Sequence, residues 1–299
     1  MRFISAAFML VIIALVSATA SAQWPRRQKP DLPRTADGQV DLNAPTPRTP
    51  EGHPDLSGVW LAGLGRGAGG GGRAGGQAGA AQGGAARQGG APQAPAAPAL
   101  PDGIVASNFA EVAGRGGAPM TAWAAELKKT RMAVKSKDNP DALCLPMGLM
   151  QFHNHPQPRR FVQTKDLIVI IYEANYGLRQ IHMDGRAAPP ADAQPYWYGY
   201  SRGRWEGDTL VVETTNYYGD ERAGWLDVNG TPYTDALETT ERFRRTSLGR
   251  MEIDITFEDP KAFTKPFTVR VNHRLSVDDD LIEFICHENQ QFGTIIKLN

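Results

Sequence analysis

From Leu61 to about Gly117 the chain offers almost nothing from which a core can be built, because Gly, Ala, Gln and Pro fill runs such as Gly69-Gly70-Gly71-Gly72 and Ala91-Pro92-Gln93-Ala94-Pro95. The apolar area there is too small to offset the backbone entropy of ordering it. A stable fold must therefore form on either side of this 61–117 insert, chiefly over 118–299. Residues 51–60, ending in Gly58-Val59-Trp60, are expected to supply its first strand, since a long flexible excursion adds little to the cost of loop closure.

Two further segments precede the fold. Arg2, the apolar stretch Phe8 to Val16 and the small residues Ala20-Ser21-Ala22 have the form of a secretory signal, giving a 1–22 leader and a periplasmic or secreted product. Residues 23–50 form a Pro-punctuated polar arm without periodicity, expected to be extended. No later stretch is long and apolar enough for a membrane span, so no stable membrane insertion is expected after the leader is removed.

The chain is formally neutral at pH 7, which argues against a nucleic-acid partner. Arg242, Arg244 and Arg245 are basic, but Glu238 and Glu241 lie among them, and the mixture is the pattern of a solvated strand face with cross-strand ion pairs. Cys144 and Cys286 are the only two cysteines. In an exported chain they are expected to form a disulfide tying the start of the fold to its last strand.

Beyond Phe161 the pattern is almost wholly β. Asp166–Glu173, Leu178–Met183, Tyr196–Trp205, Thr209–Thr215, Glu238–Arg245, Met251–Glu258, Phe267–Leu275 and Leu281–Cys286 read as strands, with a hairpin turn at Glu206-Gly207-Asp208. Met251, Ile253, Ile255 and Phe257 alternate with polar residues along one of them. One short helix is expected near Thr121–Thr130, capped by Thr121, with Trp123, Leu127 and Val134 at near-helical spacing. About nine short strands joined mostly by hairpins predict a mainly β protein, an antiparallel barrel, in which closure removes exposed strand edges.

The string Gly203-Arg204-Trp205-Glu206-Gly207-Asp208-Thr209-Leu210-Val211-Val212-Glu213-Thr214, with Met183-Asp184-Gly185-Arg186 before it and Thr240-Glu241-Arg242-Phe243 and Asp259-Pro260 after it, is similar to a large family of exported hypothetical proteins common in soil bacteria, which has no established reaction. Members of that family often carry histidines after the Asp-Gly-Arg triplet and before Thr-Glu-Arg-Phe. Here those neighbourhoods read Ala187-Ala188-Pro189 and Ala236-Leu237-Glu238-Thr239. Gly58-Val59-Trp60 also resembles the first strand of lipocalin-type barrels, which implies a barrel able to hold a small ligand.

Candidate functional residues fall into three sets. Trp197, Tyr200, Trp205 and Trp225, with Arg242 nearby, are expected to line a pocket for a small apolar or aromatic molecule, which makes a small-molecule-binding exported barrel the leading expectation. The alternative is an acid–base enzyme of hydrolase, lyase or isomerase type. It would use Glu213, placed in the apolar strand Leu210-Val211-Val212-Glu213, with Asp184, Arg186 and His182. His153 and His155 form a His-x-His pair to which Glu173 or His182 could add a third ligand, but Pro156 and Pro158 mark a loop, so neither metal nor any other cofactor is expected.

Overall fold

The computed structural model describes residues 31–62, 104–105, 117–190, 192–220 and 222–286. The expected leader, the first part of the Pro-rich arm and most of the 61–117 insert lie outside these residues.

Ten strands are described: β1 (Gly58–Ala62), β2 (Ile104–Val105), β3 (Arg159–Gln163), β4 (Leu167–Tyr172), β5 (Leu178–His182), β6 (Tyr200–Glu206), β7 (Thr209–Thr215), β8 (Glu238–Ser247), β9 (Arg250–Glu258) and β10 (Phe267–Ser276). All but β2 form a closed nine-stranded barrel in the order β1-β3-β4-β5-β6-β7-β8-β9-β10, which shuts by pairing β10 with β1. β2 adds alongside the free stretch of β10, parallel to it.

Antiparallel pairing was expected throughout, and within the barrel one pair departs from it. β5 and β6 run parallel through Ile181↔Ser201 and His182↔Arg202. Residues 183–199 between them make a crossover instead of a hairpin, and only a connection of about a dozen residues or more allows that. The β6–β7 hairpin does turn at Gly207, whose φ of +60° a residue with a Cβ rarely adopts.

Two strand assignments change. Leu281–Cys286, expected to be the last strand, is irregular, and the ninth barrel strand is β3 instead. β3 escapes a pattern reading because it follows Pro156 and Pro158 and opens on two arginines.

Two α-helices are described where one was expected. α1 (Ala122–Ala133) begins at the predicted cap, with Thr121 Oγ1 accepting from the Ala124 amide at 3.3 Å. Its buried residues are Ala124 and Arg131, however, while Trp123 and Val134 are exposed, so the face expected to be apolar turns outward. α2 (Leu149–Asn154) occupies the segment expected to be a loop, and its residues Leu149 to His153 are buried.

The two ends of the barrel are closed by different parts of the chain. At the β8–β9 turn, the amides of Leu248 and Gly249 donate to the carbonyls of Ala44 and Leu42, so the 31–57 arm caps that end. At the opposite end of β8, α2 and the 216–237 connection cover the mouth. α2 approaches so closely that a Cβ on Gly148 would lie 1.7 Å from the Trp225 carbonyl.

Between these caps the axis is filled. Trp60, Phe161, Ile168, Ile170, Phe243, Met251, Ile253, Ile255 and Phe257 form a solid apolar core. Cys144 and Cys286 are joined, as expected, with Cα atoms 5.7 Å apart. The bond pins the chain just before α2 to the segment that follows β10. Among the described residues no helix is long and apolar enough to cross a membrane.

Candidate functional site

Strand parity decides where the charges go. In β8, Thr239, Glu241, Phe243 and Arg245 are buried inside the barrel, while Arg242 and Arg244 face outward. The same alternation carries Arg179 inward beside Ile181 in β5, Tyr172 beside Ile168 and Ile170 in β4, and His273 beside Val269 and Val271 in β10. α2 then lowers His153 into this end of the barrel.

The result is a buried ionic network. Glu241 Oε1 accepts from His153 Nε2 at 2.9 Å and from Arg179 Nη1 at 3.0 Å, and Arg179 Nη2 also bonds Glu241 Oε2. Two further Arg179 donors go to hydroxyls. Its Nε reaches Ser201 Oγ at 3.1 Å and its Nη2 reaches Thr214 Oγ1 at 2.9 Å, with the two hydroxyls 2.9 Å apart.

Burial pushes the Glu241 carboxyl upward, but the Arg179 guanidinium and the His153 hydrogen bond outweigh it and hold the group at about 2. Burial is also the main effect on His153, lowering it despite the attraction of Glu241. The network therefore holds a carboxylate, a guanidinium and a neutral imidazole. Because the Nε2–H donates its hydrogen bond to the Glu241 carboxylate, the His153 lone pair sits on Nδ1, which is buried without a hydrogen-bond partner.

Next to this network lies a cleft at the barrel mouth. It is lined by Leu149, Trp197, Tyr198, Tyr217, Leu226, Tyr233 and Leu237, and its volume of about 10 Å³ has room for a single water. Leu149 is one helical turn from His153, so the two share a face of α2. Tyr217 bonds Thr239 Oγ1 at 2.7 Å, and burial, helped by the Glu241 charge and opposed by Arg179, pushes its phenol up to about 12. The cleft and the ionic network are thus neighbours across Tyr217.

The residues expected from sequence to line a pocket are spread over the molecule. Trp197 lines the cleft and packs 5.4 Å from the ring of Tyr218. Trp225 is buried beneath the Arg131 guanidinium, 4.1 Å away. Trp205 stacks on His53 at 4.8 Å, and Tyr200 lies 5.0 Å from the ring of His182. Arg242 pairs with Glu206 on the outer wall at 2.8 Å.

The expected acid–base set lies outside the barrel. Glu213 alternates with the inward Val212 and Thr214, so it faces outward, 2.6 Å from Arg204 and 3.5 Å from Arg202. Asp184 and Arg186 pair with each other at 2.5 Å, a hydrogen bond that holds the Asp184 carboxyl down at about 2. His182 is lowered by partial burial and by Arg186. His155 follows α2, and no three His, Cys, Asp or Glu side chains gather as metal ligands among the described residues.

Glu241, Arg179 and His153 are the residues that bring chemistry together here. Parity alone could have placed the first two, since Phe243 and Ile181 mark the inward face of their strands. Compared with protein-family models, with curated proteins and with solved structures, the chain matches none.

Proposed function

We propose that the α2-capped end of the barrel is an acid–base site in which His153 Nδ1 takes a proton from a small planar or aromatic substrate admitted through the tyrosine-lined cleft. The observation that carries this reading is the His153–Glu241 contact of 2.9 Å, which fixes the imidazole tautomer and leaves its basic nitrogen free. Glu241 stabilises the imidazolium that forms. Arg179 keeps Glu241 ionised, so the carboxylate orients the base and does not compete for its proton. Tyr217 stays protonated near neutral pH, and in this reading it donates to a developing oxyanion. Entry requires the side chains around the cleft, Leu149 and Tyr198 among them, to change rotamer.

A buried base that has lost its water shell suits proton abstraction, the chemistry of an isomerase or lyase. The test is elimination from 5-nitrobenzisoxazole, a planar probe whose ring opening needs only a base. Turnover by the wild type should fall about 10²–10⁴-fold in His153→Gln. No turnover above buffer, or turnover indifferent to His153, rejects the reading.

A second reading, ligand binding without chemistry, is favoured by the cleft itself, where Trp197, Tyr198, Tyr217 and Tyr233 offer aromatic faces. Saturable quenching of tryptophan fluorescence by the same probe, without turnover, would select it. We also read the protein as exported, supported by the 1–22 leader pattern and by a disulfide that persists in oxidising compartments.

A further inference from the structure

α1 carries a surface that neither the barrel nor the acid–base reading uses. Only Ala124 and Arg131 of its twelve residues are buried, so the helix is held along one narrow stripe. The Arg131 guanidinium lies 4.1 Å over the Trp225 ring, and its Nη1 donates to the carbonyls of Gly224 at 2.9 Å and Gly230 at 3.3 Å. Thr121 ties the N-terminal end, its amide donating to the Ala262 carbonyl at 2.9 Å. The helix is thus fixed against the connection that covers the barrel mouth, with most of its circumference turned to solvent.

The solvent side is not uniformly polar. Trp123 is 48% exposed, the one exposed tryptophan among those described. Leu127, Thr130 and Val134 follow it at intervals of four, three and four residues, which sets them along one line on the helix surface. Val134 is 41% exposed as well. Beside the helix, Val228 stands 57% exposed on the turn that leads to Gly230, where a Cβ would come within 2.9 Å of the Arg131 Cβ. A lone apolar side chain on a surface needs no explanation, but an exposed tryptophan in line with further apolar groups marks a surface that is covered in use.

The charges around it are lysines. Lys128, Lys129, Lys135 and Lys137 lie within 126–138 together with two carboxylates, Glu126 and Asp138, an excess of two positive charges on a chain that is formally neutral. Lys129, Lys135 and Lys137 are exposed. Lys129 reaches Glu126 at 3.4 Å, an exposed pair that solvent loosens. After α1 the chain folds back, with the Ser136 amide donating to the Arg131 carbonyl at 2.8 Å, so Lys135 and Lys137 stay beside the last turn. Protein interfaces favour arginine and tryptophan and are poor in lysine. Here the one arginine of the segment is turned inward and the outward cations are all lysines, whose flexible stems lie along apolar groups while the ammonium reaches a diffuse negative surface. Tryptophan beside such lysines is the composition of a helix that rests in a lipid headgroup layer.

We propose that α1 and the turn after it, residues 122–138, bind the surface of an anionic lipid bilayer without spanning it. Trp123 and Val134 enter the headgroup layer, and the four lysines contact lipid phosphates. The connection on which α1 rests includes Leu226, part of the cleft lining, so an adsorbed molecule carries its cleft close to the bilayer. The surface stands independently of the acid–base reading.

The experiment is co-sedimentation of the full chain with unilamellar vesicles of phosphatidylcholine, with and without phosphatidylglycerol. The chain should sediment with the phosphatidylglycerol vesicles and stay in solution with phosphatidylcholine alone. Raising salt from about 0.1 to about 1 M, where the Debye length falls to about 3 Å, should release most of it. Lys129→Gln with Lys137→Gln should weaken binding about tenfold or more, and Trp123→Ser about tenfold, while Trp123→Phe keeps most of it. Vesicles with brominated acyl chains should quench the fluorescence of the wild type more than that of Trp123→Phe. These side chains are exposed, so the unfolding midpoints of the variants should match the wild type.

Absence of sedimentation with phosphatidylglycerol vesicles overturns the proposal. Sedimentation that the lysine and Trp123→Ser variants leave unchanged, as attachment through the 1–22 leader would, overturns it too. Equal sedimentation with phosphatidylcholine alone, indifferent to salt, overturns the anionic assignment. Capture of soluble polyglutamate in place of vesicles makes this a protein-docking surface and rejects lipid. If Trp123→Ser does not fold, the lysine variant and the bromolipid quenching decide. Vesicle binding without nitrobenzisoxazole turnover rejects the base and keeps the surface, whereas turnover without vesicle binding does the reverse.

Discussion

Glu241 Oε1 lies 2.9 Å from Nε2 of His153, so a carboxylate from the barrel wall meets an imidazole from the helix that closes the barrel. One contact thereby joins the packing of α2 to the charge balance of the interior. Both partners are essentially inaccessible, with side chains 1% and 0% exposed. Solvent does not screen their interaction as it does that of the surface pairs.

Glu241→Gln should destabilise the protein by about 3–5 kcal/mol, because Arg179 is left as an uncompensated buried charge. The double variant Glu241→Gln with Arg179→Met removes that charge as well, and should recover part of the loss. Urea unfolding midpoints for the wild type and both variants check this. Equal stability of the single variant and the wild type would show that water reaches the network.

Acid should unfold the protein through its histidines before its carboxylates. His153, His155 and His273 are all lowered by burial in the folded state. Below the ordinary histidine range near 6.5 the unfolded chain therefore binds protons that the native state refuses, and stability falls as pH drops, by up to about 1.4 kcal/mol per pH unit for each such histidine. Glu241 is lowered to about 2, so its contribution is present above the usual carboxylate range near 4.5 and is lost only as pH falls through about 2. Midpoints measured from pH 8 to 4 should decline from about pH 6.5 downward, and His273→Gln should flatten the slope if it folds.

Much of the barrel was legible because period-two alternation is a local property. Met251, Ile253, Ile255 and Phe257 announce both the strand and its inward face, and the turn at Gly207 follows from its residue type. The site was less legible because a charged residue on an inward face looks like one on a solvated face until parity is applied. Counting by twos from Phe243 places Glu241 inside, and counting from Val212 places Glu213 outside, the reverse of what an apolar neighbourhood implies. β3 and α2 carry no comparable pattern, since prolines separate them and their order comes from tertiary packing. His153 and Arg159, whose Nη1 donates to the His153 carbonyl at 2.8 Å, could not have been joined from sequence.

Replacing both cysteines with serine should lower stability by about 2–5 kcal/mol, since the bond closes a loop spanning 142 positions in the sequence. Much of that effect acts on the unfolded chain, so near-ultraviolet circular dichroism of the folded variant should stay close to that of the wild type. Titration of denatured, unreduced exported protein should find no free thiol. Two reactive thiols per chain would refute the bond.

Glu213→Gln offers the sharpest contrast with Glu241→Gln, since both change one carboxylate on adjacent strands. Glu213 stands on the outer wall between Arg202 and Arg204, with its side chain 39% exposed, and Arg204 has Glu206 as a second partner. Exposed pairs of this kind contribute about 0–1 kcal/mol, and the arginines left behind remain solvated or paired elsewhere. The expected loss is therefore below about 1 kcal/mol, and it should shrink further in molar salt, where the Debye length falls to about 3 Å. A double-mutant cycle with Arg204→Met measures the coupling directly. A loss above about 2 kcal/mol, or one insensitive to salt, would mean that the wall around Glu213 is covered in solution and that this face of the barrel is an interface.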